Sequence, residues 1–127
     1  HNVETVKDLY SSVRPQANYA RSLELLRYCK QKAPDILTKT GFMVGLGETD
    51  EQIDALMDDL LGVGCDILTI GQYLQPSEKH YKLVRYVTPE EFEALKQKAL
   101  KKGFKYVASS PLVRSSYRAA EALGVSK

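Results

Sequence analysis

The chain has 127 residues, enough for one domain with a core of its own, and 43% apolar with 27% charged residues is ordinary globular composition. Its 18 basic and 16 acidic residues leave a net charge of only +2 and are scattered in both signs, which argues against nucleic acid as a partner. No apolar run approaches the length of a spanning helix and the opening His1-Asn2-Val3-Glu4 is unlike a signal peptide, so a soluble protein with no membrane partner is expected.

The sequence opens on His1 rather than Met and reads as a piece of something longer, with residues 1–6 as a strand fragment. From Tyr19 onward, Leu23, Leu26, then Cys29 or Lys30, and Ala33 recur at three- and four-residue steps, the stripe of an amphipathic helix that Pro34 ends. Ile36 to Gly45 is short, apolar and bounded by glycine, and is predicted to be a buried strand. Thr49 followed by Gln52 forms a capping box ahead of Ile53, Leu56, Met57, Leu60 and Leu61, which predicts a second helix closed by Gly62 and Gly64. Cys65 to Tyr73 reads as a strand apolar on both faces.

Thr88-Pro89-Glu90-Glu91 joins an N-cap, a proline at the first helical position and a capping glutamate, with Phe92, Leu95, Ala99 and Leu100 as the buried stripe before Gly103. Phe104 to Ala108 is a last short strand; from Ser109 the chain is a polar tail with a short helix predicted around Tyr117 to Leu123. The two cysteines, Cys29 and Cys65, have no neighbours at ligand spacing, and each is read as a small buried side chain.

Strands alternating with helices of this length predict an α/β fold with a parallel sheet. Three strands and a fragment are too few to close a barrel, so residues 1–108 look like half of such a fold and 109–127 like a C-terminal tail.

In parallel α/β folds, ligands bind beyond the carboxyl ends of the strands. That places Gly45-Leu46-Gly47-Glu48, Gln72 to Ser77, the tail from Ser109, and Asn2 with Glu4 among the residues to inspect. Gly41-x-Met43-x-Gly45-x-x-Glu48 offers two glycines for close approach to a flat ligand and a thioether to pack on a ring. The same glycines also serve simply to permit a turn, and a glutamate before a helix is favoured by the helix dipole alone. The long connection from Leu74 to Val87, with Gln75, His80, Arg85 and Tyr86, is a candidate binding loop. His80 lacks a partner for metal binding, and no Ser or Cys has the setting of a nucleophile elbow. Arg114-Ser115-Ser116-Tyr117 gathers a guanidinium, two hydroxyls and a phenol in a tail that does not need them for packing, although polar tails are usually just solvated.

Taken in order, these segments resemble lipoyl synthase over essentially the whole chain. The words that carry the resemblance include His1-Asn2-Val3-Glu4-Thr5-Val6, Val13-Arg14-Pro15, Gly45-Leu46-Gly47-Glu48-Thr49, Gly71-Gln72-Tyr73-Leu74-Gln75-Pro76-Ser77 and Pro111-Leu112-Val113-Arg114-Ser115-Ser116-Tyr117. The glutamine-rich run and the closing Arg-Ser-Ser-Tyr are the most specific. The resemblance implies the C-terminal part of a partial (β/α)6 TIM-like barrel in a radical S-adenosylmethionine enzyme with two 4Fe–4S clusters. In that family one cluster cleaves S-adenosylmethionine reductively to a radical that removes hydrogen from two carbons of a protein-bound octanoyl chain, and the auxiliary cluster supplies two sulfurs.

Carried over by position, Asn2 and Glu4 are expected near the ribose and methionine end of S-adenosylmethionine, Met43 and Gly45 beside the adenine, and Glu48 and Gln75 among the cofactor-binding residues. Ser116 matches the serine ligand of the auxiliary cluster, with Ser115 as the fallback and Arg114 beside it to stabilise the anionic oxygen. A hard oxygen ligand suits an exchangeable corner in a cluster that gives up sulfide. The resemblance further implies an octanoylated lipoyl-carrier domain as partner, a monomer, and a bacterial cytoplasm or organellar matrix.

The family's C-x-x-x-C-x-x-C and C-x-x-x-x-C-x-x-x-x-x-C triads are absent, since neither Cys29 nor Cys65 fits either, and the cluster cysteines are expected upstream of His1. The chain alone is therefore expected to be inactive. Two other readings compete: a non-catalytic module that binds the carrier protein, and another radical sulfur-insertion enzyme of the biotin synthase type, against which the Arg-Ser-Ser-Tyr tail argues.

Overall fold

A computed structural model describes residues 2–113, so Arg114, Ser115, Ser116 and the short helix predicted at Tyr117 to Leu123 lie outside the described residues. The elements run 3-10 turn Lys7–Leu9, α1 (Tyr10–Val13), α2 (Tyr19–Lys32), β1 (Lys39–Val44), α3 (Asp50–Gly62), β2 (Ile67–Gln72), α4 (Pro89–Lys102) and β3 (Tyr106–Ser109). The three strands form one parallel sheet in the order β1-β2-β3, with Gly41 opposite Thr69, Met43 opposite Gly71, and Ile70 opposite Ser109. Outside β1 the opening segment adds a single parallel bridge, in which Glu4 N–H donates to the Gly41 carbonyl at 3.0 Å and Met43 N–H donates to the Glu4 carbonyl at 2.9 Å.

Both capping boxes form as the sequence requires. Thr49 and Gln52 exchange bonds at 3.1 and 2.9 Å, and Thr88 and Glu91 at 3.1 and 2.9 Å, which satisfies backbone N–H groups that each helix start leaves open. Asn18, unremarked in the sequence, caps α2 by accepting from Arg21 N–H at 3.0 Å.

Alternation along the strands divides the sheet into two faces. Phe42, Val44, Leu68 and Ile70 face a core built with Leu26 of α2, Ile53, Leu56, Met57 and Leu60 of α3, and Phe92, Leu95 and Ala99 of α4. Gly41, Met43, Thr69 and Gly71 take the intervening positions and line a cavity instead. The long apolar strands are thus buried for two different reasons, packing on one face and enclosure on the other.

Several sequence-based expectations shift. α2 buries Tyr19, Ser22 and Leu26 and leaves Cys29 exposed, so Lys30 is the residue on the inner stripe and Cys29 is not the buried side chain expected of it. Lys30 turns inward because it finds a buried partner, the Asp66 carboxylate at 2.8 Å. Strand β1 begins at Lys39 rather than at Ile36, which is 64% exposed, and β3 starts at Tyr106, two residues later than its apolar pattern suggested. On α4, Leu100 is on the exposed side while Phe92, Leu95 and Ala99 are buried. Among the described residues no helix is long and apolar enough to cross a membrane.

Candidate functional site

At the carboxyl ends of the strands, on the face away from the helices, Asn2, Glu4, Gly41, Met43, Thr69 and Gly71 surround a cavity of about 210 Å3, bounded also by Pro111 and Val113. A complete small-molecule site holds roughly 300–1,000 Å3, so this cavity is the size to seat part of a ligand. Its floor is built by small residues for a steric reason. A Cβ on Gly41 would collide with the Thr69 hydroxyl and come 3.3 Å from the Asn2 side-chain oxygen. One on Gly71 would come 2.8 Å from a Val113 methyl.

Glu4 is the strained member of the group. Its φ of 80° is left-handed, the one positive value among non-glycine residues in the described chain. Two backbone hydrogen bonds to β1 hold it there. Burial raises its carboxyl above the usual range, against the opposing pull of the Arg14 charge and the Asn2 side chain. Its neighbour Val3 is anchored on both sides: its N–H donates to Thr40 Oγ1 at 2.9 Å, and its carbonyl accepts from the Tyr10 hydroxyl at 2.7 Å. A strained backbone and a partly desolvated carboxylate both cost stability, and such costs concentrate at functional sites.

The connection from Leu74 to Val87 is ordered by the residues that made its sequence distinctive. Gln72 donates through Nε2 to the Arg85 carbonyl at 3.0 Å and accepts through Oε1 from Val87 N–H at 2.8 Å, tying the far end of the loop to the end of β2. The Tyr73 hydroxyl donates to the Tyr81 carbonyl. Gln75 donates to the Ser77 carbonyl at 2.9 Å and accepts from Leu83 N–H at 3.3 Å, while Ser77 bonds the His80 ring at 2.8 Å. Leu74, Val84 and Tyr86 remain exposed on this loop.

The residues expected to bind a cofactor therefore fall into two groups. Asn2, Glu4 and Met43 meet at the cavity. Gly45, Glu48 and Gln75 are engaged in backbone architecture around it. Gly45 adopts φ 102°, a Cβ there would collide with the Gln72 amide and come 2.6 Å from the Arg85 carbonyl, and its own carbonyl accepts from Val84 N–H at 2.8 Å. Glu48 accepts from the N–H groups of Gly45 and Leu46 at 3.1 and 3.0 Å, fixing the turn after β1. It also borders a second hollow of about 180 Å3 between α3 and α4, where Arg85 and Glu91 are already paired at 3.0 Å. Sequence reading missed Thr69 and Gly71 in the cavity. A polar threonine and a glycine at alternate positions of an otherwise apolar strand were the available signal.

These residues suit a ligand such as S-adenosylmethionine in kind. A carboxylate can meet a sulfonium or ammonium, and the thioether of Met43 can pack on a ring. They do not suit an iron–sulfur cluster. Among the described residues no group of three or more His, Cys, Asp and Glu is placed to hold a metal. Cys65 is buried, with its thiol pushed up to about 11 chiefly by burial, and precedes the amino end of β2, away from the cavity.

No protein-family model matches the chain. Individual proteins do. Lipoyl synthase of Alkaliphilus metalliredigens is 60% identical over 123 residues, covering 97% of this chain and 42% of that protein. Lipoyl synthase of Caldanaerobacter subterraneus subsp. tengcongensis is 56% identical over 127 residues, covering 100% of this chain and 45% of its own length. Lipoyl synthase of Rubrobacter xylanophilus is 60% identical over 121 residues, covering 95% of this chain and 38% of its own. Over nearly all of its length the chain is thus similar to lipoyl synthases, and it spans less than half the length of these curated relatives.

Proposed function

We propose that this chain is the C-terminal portion of a lipoyl synthase, a radical S-adenosylmethionine sulfurtransferase of lipoate biosynthesis, and that its sheet is part of a partial (β/α)6 barrel. The observation that carries the reading at the site is Glu4, a half-buried carboxylate in left-handed backbone at the rim of the cavity. The Arg14 charge and the Asn2 side chain offset its burial only in part, so a cationic ligand would stabilise it further. In this reading Glu4 and Asn2 hold the aminoacyl and ribose end of S-adenosylmethionine, and Met43 packs on its adenine. Gly45, Glu48 and Gln75 contribute by fixing the turn and the loop that frame the ligand.

Bound S-adenosylmethionine supplies the hydrogen-abstracting radical. The two 4Fe–4S clusters of the whole enzyme take their cysteines from outside this chain, which has two cysteines at neither cluster spacing. Ser116, with Ser115 as the alternative, is the hydroxyl ligand to the auxiliary cluster, and Arg114 stabilises the oxygen as an anion. The substrate is an octanoyl chain on a lipoyl-carrier domain. The protein acts as a monomer in a bacterial cytoplasm or organellar matrix, and the isolated chain is inactive.

The test is anaerobic reconstitution of the full-length protein with an octanoylated carrier domain, S-adenosylmethionine and a reductant, followed by mass spectrometry of the carrier. Gain of two sulfur atoms is expected, with two C–H bonds replaced by C–SH in the dithiol recovered under reducing conditions, and with two hydrogens fewer once the dithiol is oxidised to the cyclic disulfide. An unmodified octanoyl chain, with S-adenosylmethionine cleaved normally, would sink the assignment of the substrate.

A further inference from the structure

We propose that Thr69 is a ligand-binding residue: its hydroxyl, together with the Asn2 side-chain oxygen, forms a polar wall of the cavity over Gly41 that takes one alcohol or amine group of the ligand. The proposal deepens the reading of the cavity as an S-adenosylmethionine site and rests on that reading for its choice of probe. On either side of Thr69, Leu68 and Ile70 pack into the core. Valine has the same branched shape and would serve a strand equally well, so the hydroxyl is what the threonine adds. Thr69 lines the cavity and is only 4% exposed, yet among the described residues its hydroxyl has no hydrogen-bond partner. A buried hydroxyl left unpaired costs stability, and at a cavity wall the partner it lacks is the occupant of the cavity.

Gly41 gives that hydroxyl its room. The backbone there is ordinary strand with no positive φ, so conformational freedom does not explain a glycine that weakens the strand interior. A Cβ at Gly41 would collide with the hydroxyl of Thr69, its partner in the register of β1 with β2. The same Cβ would stand 3.3 Å from Asn2 Oδ1. Glycine thus leaves both oxygens uncovered at the cavity wall. Two oxygens this close to one point can both be reached, at about 2.8–3.0 Å, by a single group set between them.

The two oxygens select the group by their chemistry. The Asn2 amide directs its N–H to the Glu4 carboxylate, which leaves its oxygen, an acceptor only, on the side of Gly41. The Thr69 hydroxyl both donates and accepts. An alcohol can donate to Asn2 and accept from Thr69, and an amine can donate to both, whereas a group that only accepts leaves the Asn2 oxygen unmet. Both oxygens are in place before a ligand arrives. Val3 N–H, beside Asn2, donates to Thr40 Oγ1 at 2.9 Å, and Glu4 is bonded to Gly41 and Met43 of β1. Little of the binding energy is then spent on ordering the wall.

The experiment uses the full-length reconstituted protein as wild type, Thr69→Val and Thr69→Ser. Two quantities are read: the urea midpoint without ligand, and the Kd for S-adenosylmethionine by anaerobic equilibrium dialysis. Thr69→Val is expected to raise the Kd about three- to tenfold with the midpoint unchanged or higher, because it removes a hydroxyl that the ligand pairs and the free fold does not. Thr69→Ser keeps the hydroxyl and is expected to bind within about twofold of wild type. Undiminished affinity in Thr69→Val overturns the proposal, and so does equal weakening in Thr69→Ser, which would make shape the cause. A lowered midpoint in Thr69→Val also overturns it, since the hydroxyl would then be paired within the protein. If wild type itself does not bind S-adenosylmethionine, the reading of the cavity fails; an unchanged midpoint in Thr69→Val then still supports an unpaired hydroxyl at the wall, and a lowered one overturns it.

Discussion

The Tyr10 hydroxyl donates to the Val3 carbonyl at 2.7 Å, accepts from Arg14 Nη1 at 2.8 Å, and lies 2.9 Å from the Ser22 hydroxyl. One phenol therefore binds the opening segment to α2, and Val3 sits between Asn2 and Glu4. The Tyr10 ring also meets Tyr19 edge to face, with centroids 5.3 Å apart. The position of the candidate site is thus set from behind, by a buried polar hub that touches no ligand.

Replacing Tyr10 with Phe keeps the ring packing and removes the hub. The buried Val3 carbonyl and Ser22 hydroxyl lose a partner, which should cost about 1–3 kcal/mol. A lower denaturant midpoint at unchanged slope is expected, together with weaker binding of S-adenosylmethionine to the full-length protein. Lost stability with undiminished affinity would separate the hub from the site.

Glu4 should behave as a residue kept at a cost to the fold. Because burial raises its carboxyl in the folded state, its contribution to stability is fully present below the unfolded value of about 4.3 and declines as pH rises through the folded value. Glu4→Gln is therefore expected to unfold at a higher denaturant concentration than wild type near neutral pH. The gap should close below about pH 4. Glu4→Gly should relieve the left-handed backbone as well, by about 1 kcal/mol. Both variants should lose affinity for S-adenosylmethionine; a variant that gains stability and binds as well as wild type would remove Glu4 from the site.

What the sequence made legible was local. Thr49 with Gln52 and Thr88 with Glu91 announce helix starts because the capping partners are three residues apart, within reach of any reader of the chain. Lys30 and Cys29 compete for one stripe position, and only the distant Asp66 decides between them. Likewise Gln75 and Glu48 carry the polarity of ligand-binding groups, yet their hydrogen bonds go to the loop and the turn that frame the cavity. Val113 over Gly71 and the Thr69 hydroxyl over Gly41 are contacts between separate segments, which periodicity does not encode.

Asp66 ties together the amino ends of the strands, the end of parallel α/β folds where stability rather than chemistry is concentrated. Its carboxylate accepts from Lys30 at 2.8 Å and from Thr38 N–H at 2.9 Å, and Lys105 lies 3.4 Å away. Burial opposes the charge, but Lys30, the Thr38 N–H and Lys105 outweigh it and hold the carboxyl below the usual aspartate range. The stability it adds is present above about pH 3.9 and is lost as pH falls through the folded value. Asp66→Asn is expected to cost about 2–3 kcal/mol near neutral pH and progressively less in acid. Urea titrations of both proteins across that range test this, and a gap that did not narrow in acid would count against the linkage.

Gln72 should matter to the loop more than to the sheet. Its amide joins the end of β2 to Arg85 and Val87, and Val84 N–H continues the closure by donating to the Gly45 carbonyl. Gln72→Ala removes two of these ties at once and leaves Val87 N–H, partly buried, without its acceptor, a loss of about 1–3 kcal/mol concentrated in residues 74–87. Gln72→Glu keeps the acceptor but sets a carboxylate against the Arg85 and Tyr73 carbonyls, so it should loosen the loop at least as much. Limited proteolysis is the direct measurement: cleavage within 74–87 is expected to quicken in both variants, while amides of β1 and β2 keep their protection from exchange. Equal loss of protection in the strands would mean that Gln72 supports the whole sheet, and that the loop is not a separately ordered unit.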